Sequence, residues 1–426
     1  MFIKEAGISG RPPFYKNTDM NKLFSFAVAS LALVAVLACG CEKTPQDDPT
    51  KDSRNALERY WADDYTGELG IQQGEWTVYG TSVPRMFLGG KLLYVTGMNC
   101  YNLFVQCHES NAMKTENMEQ TVEVFKKEQV PIVRFSGSPF YARQFHFYFD
   151  QKEKFLANLA HLADLCDEAH ILLIPSIFWN TSSVPDYYGE APTAWGDKNS
   201  KTHEHMLNYA SDIVNTLKDH KCVAMWEFGN EFSLAADIGI AGYADIPARV
   251  VETAYKDFAE LVKSLDPHNR VVASGNSIMR NSQYHQMKYS SWGTDSFEEY
   301  VEMCGIFNPD PMTGMSEHVY EDARVFSDKG TVGRSEQISY AKQAAAQLGK
   351  VYYVGEFTGP KTAGGDSLMV RKHFISYYAQ RVQISLMWNY ALKGDIEWSF
   401  KADTPYGSMA FNLMREYNER FKTVTE

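Results

Sequence analysis

Eight short apolar runs recur along the chain with helix-like stretches between them, and this alternation most constrains the fold. The runs are Leu92 to Asn99, Pro131 to Phe135, Ile171 to Phe178, Val223 to Gly229, Arg270 to Ser274, Gly314 to Val319, Val351 to Gly355 and Ile384 to Trp388. They do not alternate apolar with polar residues, so each reads as a strand covered on both faces. Between them, Lys154 to Ala169 carries Leu156, Leu159, Leu162 and Leu165 at near-helical spacing, and His205 to Leu217 is a second amphipathic stretch. Pro247, two residues after Asp245, opens a third, which closes at Leu265 before the turn Asp266-Pro-His-Asn269. Eight such strands with intervening helices specify the α/β class and a parallel (β/α)8 TIM barrel. An open doubly wound sheet would want a glycine-rich phosphate turn after its first strand, and none is present. Trp76 to Phe87, with the turn Gly89-Gly90-Lys91, reads as a short N-terminal β-hairpin capping the bottom of the barrel.

Residues 1–41 stand apart from this pattern. Leu23 to Ala38 is an apolar run of about 16 residues, shorter than the roughly 20 that span a membrane, and it follows Asn21-Lys22 and ends at Leu37-Ala38-Cys39-Gly40-Cys41. A basic start, a short apolar stretch and a small-residue boundary make an export signal. The cysteine at the boundary resembles the lipobox of bacterial lipoproteins, which implies lipidation at Cys39, with Cys41 as second choice. Met20 sits where such a signal would begin, so residues 1–19 are an upstream misassigned start or an unusual extension. A cleaved or uncleaved signal without lipid is the alternative. Residues 42–56 are polar, with Pro45 and Pro49, and read as a flexible linker. The barrel domain is expected over 57–426. Its expected location is outside the cytoplasm, lipid-anchored to a bacterial outer membrane or cell surface, with the periplasm as an alternative.

The net charge of −12 argues against nucleic acid or an anionic membrane surface as partner. An aromatic fraction of 14% leaves many rings for stacking on sugars. Five cysteines lie beyond the signal boundary, at 100, 107, 166, 222 and 304; Cys166 and Cys222 read as core residues, and a Cys100–Cys107 bridge is conceivable. No Cys/His or His/Asp/Glu group has metal-ligand spacing, so no metal and no cofactor is expected. A monomer is expected.

In a parallel barrel, chemistry sits where strands end and the following loops begin. Reading only those exits gives Asn99 and Tyr101, Arg134, Trp179 and Asn180, Asn230 and Glu231, Asn276, His318 and Tyr320, Glu356, and Trp388 and Asn389. This is a polar and aromatic ring suited to a sugar. Glu231 and Glu356 each close an apolar strand, about 125 residues apart, and a barrel brings both onto one rim. A carboxylate is costly there unless paired or used, and two facing carboxyls are what glycosidic bond cleavage requires. Period-two geometry puts His318 and Tyr320 on one strand face. Glu227, four residues before Glu231, points into the barrel and reads as the structural partner of a cation. Trp179, Tyr187, Tyr188, Trp195 and Trp292 fall in rim loops and are candidate subsites.

These residues resemble glycoside hydrolase family 5 and, more broadly, the retaining hydrolases of clan A. Trp226-Glu-Phe-Gly-Asn230-Glu231 is similar to the fourth-strand Asn-Glu, which implies Glu231 as acid/base and Asn230 as a contact to the substrate 2-hydroxyl. Gly355-Glu356-Phe357 resembles the seventh-strand nucleophile motif, and Val133-Arg134-Phe135 the second-strand arginine that orients the nucleophile. His318-Val-Tyr320 and Leu386-Met-Trp388 resemble the sixth-strand His and Tyr and the eighth-strand Trp platform. Where many cellulase-like members carry a third-strand His, this chain has Ile177-Phe-Trp179-Asn180, followed by Asp186-Tyr-Tyr-Gly189. That wording is closer to the family's β-mannanases. The second-strand exit Ser136-Gly-Ser-Pro139 fits neither pattern.

The expectation is a retaining β-glycoside hydrolase acting on a plant-type β-linked poly- or oligosaccharide, β-1,4-mannan before β-1,4-glucan. Substrate binding is assigned to Arg134, Asn230, His318, Tyr320, Trp388, Trp179 and Asn180. Glu356 is expected to stay ionised; Glu231, protonated first, is expected to have the higher pKa. The alternatives are a non-catalytic glycan-binding surface lipoprotein on the same barrel and a transglycosidase.

Overall fold

The computed structural model describes residues 56–57, 69–78, 81–88, 91–109, 112–239, 245–394 and 397–424. The signal region, Cys39, Cys41 and all but the last residue of the linker lie outside them.

Eight parallel strands run Val95–Asn99, Ile132–Ser136, Leu172–Phe178, Met225–Gly229, Val271–Ala273, Gly314–Val319, Val351–Phe357 and Ile384–Met387. They are the eight expected from the apolar runs. Each pairs with its neighbour in sequence except at one seam, and the eighth pairs with the first. The fifth and sixth lack a regular ladder. Thr313 closes that seam: its backbone N–H donates to Val272 O at 2.9 Å and its hydroxyl accepts from Val272 N at 3.1 Å.

Helices cover the outside, and local signals set their ends. Lys201–Leu217 starts one turn earlier than its apolar stripe suggests, because the Ser200 side chain accepts from His203 N. Phe297–Phe307 opens with a capping box between Ser296 and Glu299, and Pro405–Phe421 with Thr404 as cap and proline in the first turn. Lys152–Glu168 buries Phe155, Leu159, Leu162 and Cys166 on one face.

The interior has a floor. Antiparallel strands Leu69–Val78 and Thr81–Leu88, extended by Lys91–Leu92, form the expected hairpin, reaching back to Leu69. Met86, Leu88 and Leu57 join one buried cluster with Val95, Ile132, Leu172, Met225, Val271, Val351 and Ile384 from the strand starts. Gln383 fastens the plug. Its Oε1 accepts from Met86 N at 2.8 Å, and its Nε2 donates to the carbonyls of Met86 and Leu93 at 2.8 and 2.9 Å. All five cysteines of the barrel are buried free thiols. A Cys100–Cys107 bridge is therefore ruled out in this structure; Cys107 Sγ instead contacts Met118 Sδ at 3.4 Å.

Candidate active site

The floor gives way to charge within two residues along the strands. Arg134 follows Ile132 on the inward face of the second strand and is fully buried. Its Nη1 donates to Glu356 Oε1 at 2.8 Å and Asn99 Oδ1 at 3.1 Å, its Nε to Glu227 Oε1 at 2.7 Å, and its Nη2 to Asn230 Oδ1 at 2.9 Å. Trp179 covers the guanidinium, 4.6 Å from ring centroid to Cζ. Glu227 is the structural partner expected, and Tyr353 OH donates to its other oxygen at 2.6 Å.

Glu356 reaches this network through a break in alternation. Val351 and Tyr353 face the interior, so strict alternation would turn Glu356 outward. The pairing with the sixth strand shifts between Val354 and Glu356, and the extra residue, Gly355, brings Glu356 inward. A Cβ on Gly355 would lie 2.9 Å from His318 Nε2, so glycine is what lets the histidine approach. Glu356 Oε2 accepts from Tyr320 OH at 2.8 Å.

Glu231 lies just past the fourth strand with φ of 55°, a left-handed conformation that costs a non-glycine residue on the order of 1–3 kcal/mol. Its N–H is held by Gly275 O at 2.9 Å. His318 Nδ1 sits 2.8 Å from Glu231 Oε1 and 3.5 Å from Glu356 Oε2. With the carboxylate accepting, the ring carries its proton on Nδ1; Nε2 is buried without a partner among the described residues. Oxygens of both glutamates and a His318 nitrogen lie within 4.8 Å of one another.

The electrostatics invert the expected order of the two acids. Burial raises Glu231, but the hydrogen bond and charge of His318, then Arg134 and the Ser277 hydroxyl, outweigh it and hold the carboxyl below its ordinary value. Burial raises Glu356; His318 and Arg134 pull it down, Glu231 pushes it up, and the net direction is up. The order follows from the position of His318, whose Nδ1 is hydrogen-bonded to Glu231 and stands further from Glu356.

Trp388, Tyr101 and Trp179 form an aromatic wall, with ring centroids 6.0 Å apart for Tyr101–Trp388 and 6.1 Å for Trp179–Trp388. Asn180 stands at the same exit, its amide engaged with Ser182 N and Phe140 O. Asn276 and Asn389 are buried; Asn276 accepts from Ser233 N and Tyr255 OH, and Asn389 from Tyr101 N. Trp195 is core rather than subsite: it is fully buried against Phe178, Phe228 and Phe232 and donates to Thr181 O. Tyr187 and Trp292 are exposed, and Tyr188 is part-buried on His205.

Sequence reasoning missed Tyr353 and Ser277, whose only signal is inward parity and position in a rim loop. It also missed a second acid–histidine group, His285, Asp295 and Glu299. Asp295 there accepts from the N–H groups of Tyr284 and His285, and Glu299 belongs to the capping box, so both have structural work.

A nearly closed parallel barrel with two glutamates facing each other at its C-terminal mouth defines a barrel of the glycosidase type. The chain belongs to the family described as glycosyl hydrolases family 2, TIM barrel domain, which matches residues 83–305, just over half of its length. The resemblance to family 5 thus holds at the level of the clan A barrel, while the family matched is family 2. Among solved structures, an endo-1,4-β-mannanase from Rhizomucor miehei superposes with a TM-score of 0.58 at 16% identity, covering 81% of this chain and 99% of that one. A β-1,4-D-mannanase from Cryptopygus antarcticus gives 0.53 at 15% identity, covering 81% and 94%. A family 5 mannosidase from R. miehei, solved with mannosyl-fructose, gives 0.51 at 12%, covering 79% and 95%. No curated protein matches the chain.

Proposed function

We propose that the protein is a retaining β-glycoside hydrolase. The observation that carries this reading is that one oxygen of each carboxylate lies within 4.8 Å of the other, a close approach in keeping with the short gap of retaining enzymes, about 5–5.5 Å between carboxyls, rather than the roughly 6.5–9.5 Å that admits a water in inverting ones. Glu356, oriented by Arg134 and Tyr320, attacks the anomeric carbon; the bond to the leaving oxygen breaks as that oxygen takes the proton of Glu231. Water then gives its proton to Glu231 and displaces the ester, restoring Glu356. Glu231 must therefore gain a proton as substrate arrives. Its side chain is 26% exposed, and covering it with sugar removes the water that favours its charge. Trp388, Trp179 and Tyr101 offer ring faces to the sugar, and Asn230 a contact to its 2-hydroxyl.

The substrate favoured is β-1,4-mannan, then β-1,4-glucan. The third-strand wording supports it, as do mannanase names among proteins of the same fold. The test is reducing-sugar release and product sizing on mannan, glucomannan, cellulose, xyloglucan, xylan and mixed-linkage glucan, with Glu356→Gln as control and the anomer of the first product followed by NMR. Inversion of the anomer, or activity surviving in the control, would overturn the reading; products longer than the substrate would mark a transglycosidase. We further propose export and lipid anchoring through Cys39. Palmitate labelling that persists in Cys39→Ala would refute that site.

A further inference from the structure

Helix Lys201–Leu217 carries a polar stripe that the catalytic reading does not use. Lys201, His205, Asn208 and Asp212 recur at spacings of four, three and four, which is one helix face. They line a cavity of about 570 Å³, walled opposite by Tyr148, Phe149 and Tyr188 from the loops after the second and third strands. Tyr188, expected among the rim subsites, lines this cavity, and none of the others belongs to the rim constellation.

Three features of this cavity point to a ligand. Phe149 is 43% exposed and stacks on exposed Tyr187, centroids 5.1 Å apart and planes 13° from parallel, an apolar face left in water. His205 is only 4% exposed, ringed by aromatics, and its Nε2 has no hydrogen-bond partner among the described residues. Nδ1 pairs with Tyr188 OH at 3.1 Å. The charges cancel: Lys152 is 2.5 Å from Asp212, and Lys201 is matched by Glu204 in the same lining. A charged ligand gains nothing from such a balance, whereas a polyhydroxylated one uses donors and acceptors together and lays its C–H face on a ring.

We propose that this cavity is a second saccharide-binding site, one that holds an uncharged sugar chain without cleaving it. The proposed function enters only through the choice of polymers. The test is affinity electrophoresis in native gels containing glucomannan, galactomannan or hydroxyethylcellulose, using chains that carry Glu356→Gln so that the polymer stays intact. Adding Phe149→Ala, or separately Asn208→Ala, is expected to weaken retardation about ten-fold, while the single variant Phe149→Ala still hydrolyses as the parent does. Retardation indifferent to both substitutions, or absent on all three polymers, would overturn the proposal. A chain held through Phe149 that cleaves nothing would leave this site standing and remove the hydrolase reading; cleavage with retardation insensitive to Phe149 would do the reverse.

Discussion

The lower and upper halves of the barrel interior are built by the same strands and obey different physics. Below, Ile132, Met225 and Val351 meet Leu57, Met86 and Leu88 in an apolar cluster. Above, two to five residues further along the same strands, Arg134, Glu227 and Glu356 form a buried charge network. The lower half gains free energy from area removed from water, about 25 cal/mol per Å². The upper half is held by mutual compensation, in which each charge tolerates burial only because the others are in place. Stability is thus concentrated in one layer and chemistry in the next.

The sharpest way to break this contrast is to neutralise one carboxylate. Glu356→Gln and Glu231→Gln are each expected to lower turnover by about 10⁴-fold or more with an unchanged circular dichroism spectrum. Next comes Arg134→Met, which strands two carboxylates and should cost about 3–5 kcal/mol in denaturant unfolding as well as activity. Leu88→Ala is the matching change in the floor: about 2–5 kcal/mol of stability lost, with kcat per folded molecule unaltered. A floor substitution that changed kcat would show that the two layers are coupled.

Two smaller effects concern pH. Glu356 is raised in the folded chain, so it binds its proton more tightly there than when unfolded. The stability it contributes is full below its ordinary value of 4.5 and is lost as pH rises through the raised value. Glu356→Gln should therefore melt higher than the parent at neutral pH, with the gain shrinking on acidification towards that range. Glu231 has the opposite sign: its contribution is present above 4.5 and lost as pH falls through its lowered value. Because His318 holds Glu231 down, His318→Asn should move the alkaline limb of kcat/KM to higher pH; a limb that stays put would mean that another group sets it.

Much of this was legible in the sequence, and the failures are specific. The strand runs, Arg134 and the pair of glutamates stand out because burial on both faces leaves only exits where a charge makes sense. Glu227 followed from parity alone. The inward turn of Glu356 did not, because a one-residue bulge at Gly355 reverses parity without altering composition. Trp195 was misplaced because a loop can bury a ring among Phe178, Phe228 and Phe232, which linear spacing does not reveal. The order of the two acids was misread because it depends on which carboxylate His318 bonds, a distance of 2.8 against 3.5 Å. The hairpin Ala323–Phe326 and Gly330–Gly333 in the sixth-strand loop is too short to outweigh its turn residues.

Leu57, sealed into the floor cluster with no exposure, also fixes a direction. It lies at the end of the barrel opposite the carboxylates, so the floor it helps to seal and the mouth that carries Glu231 and Glu356 are insulated from one another by the length of the strands.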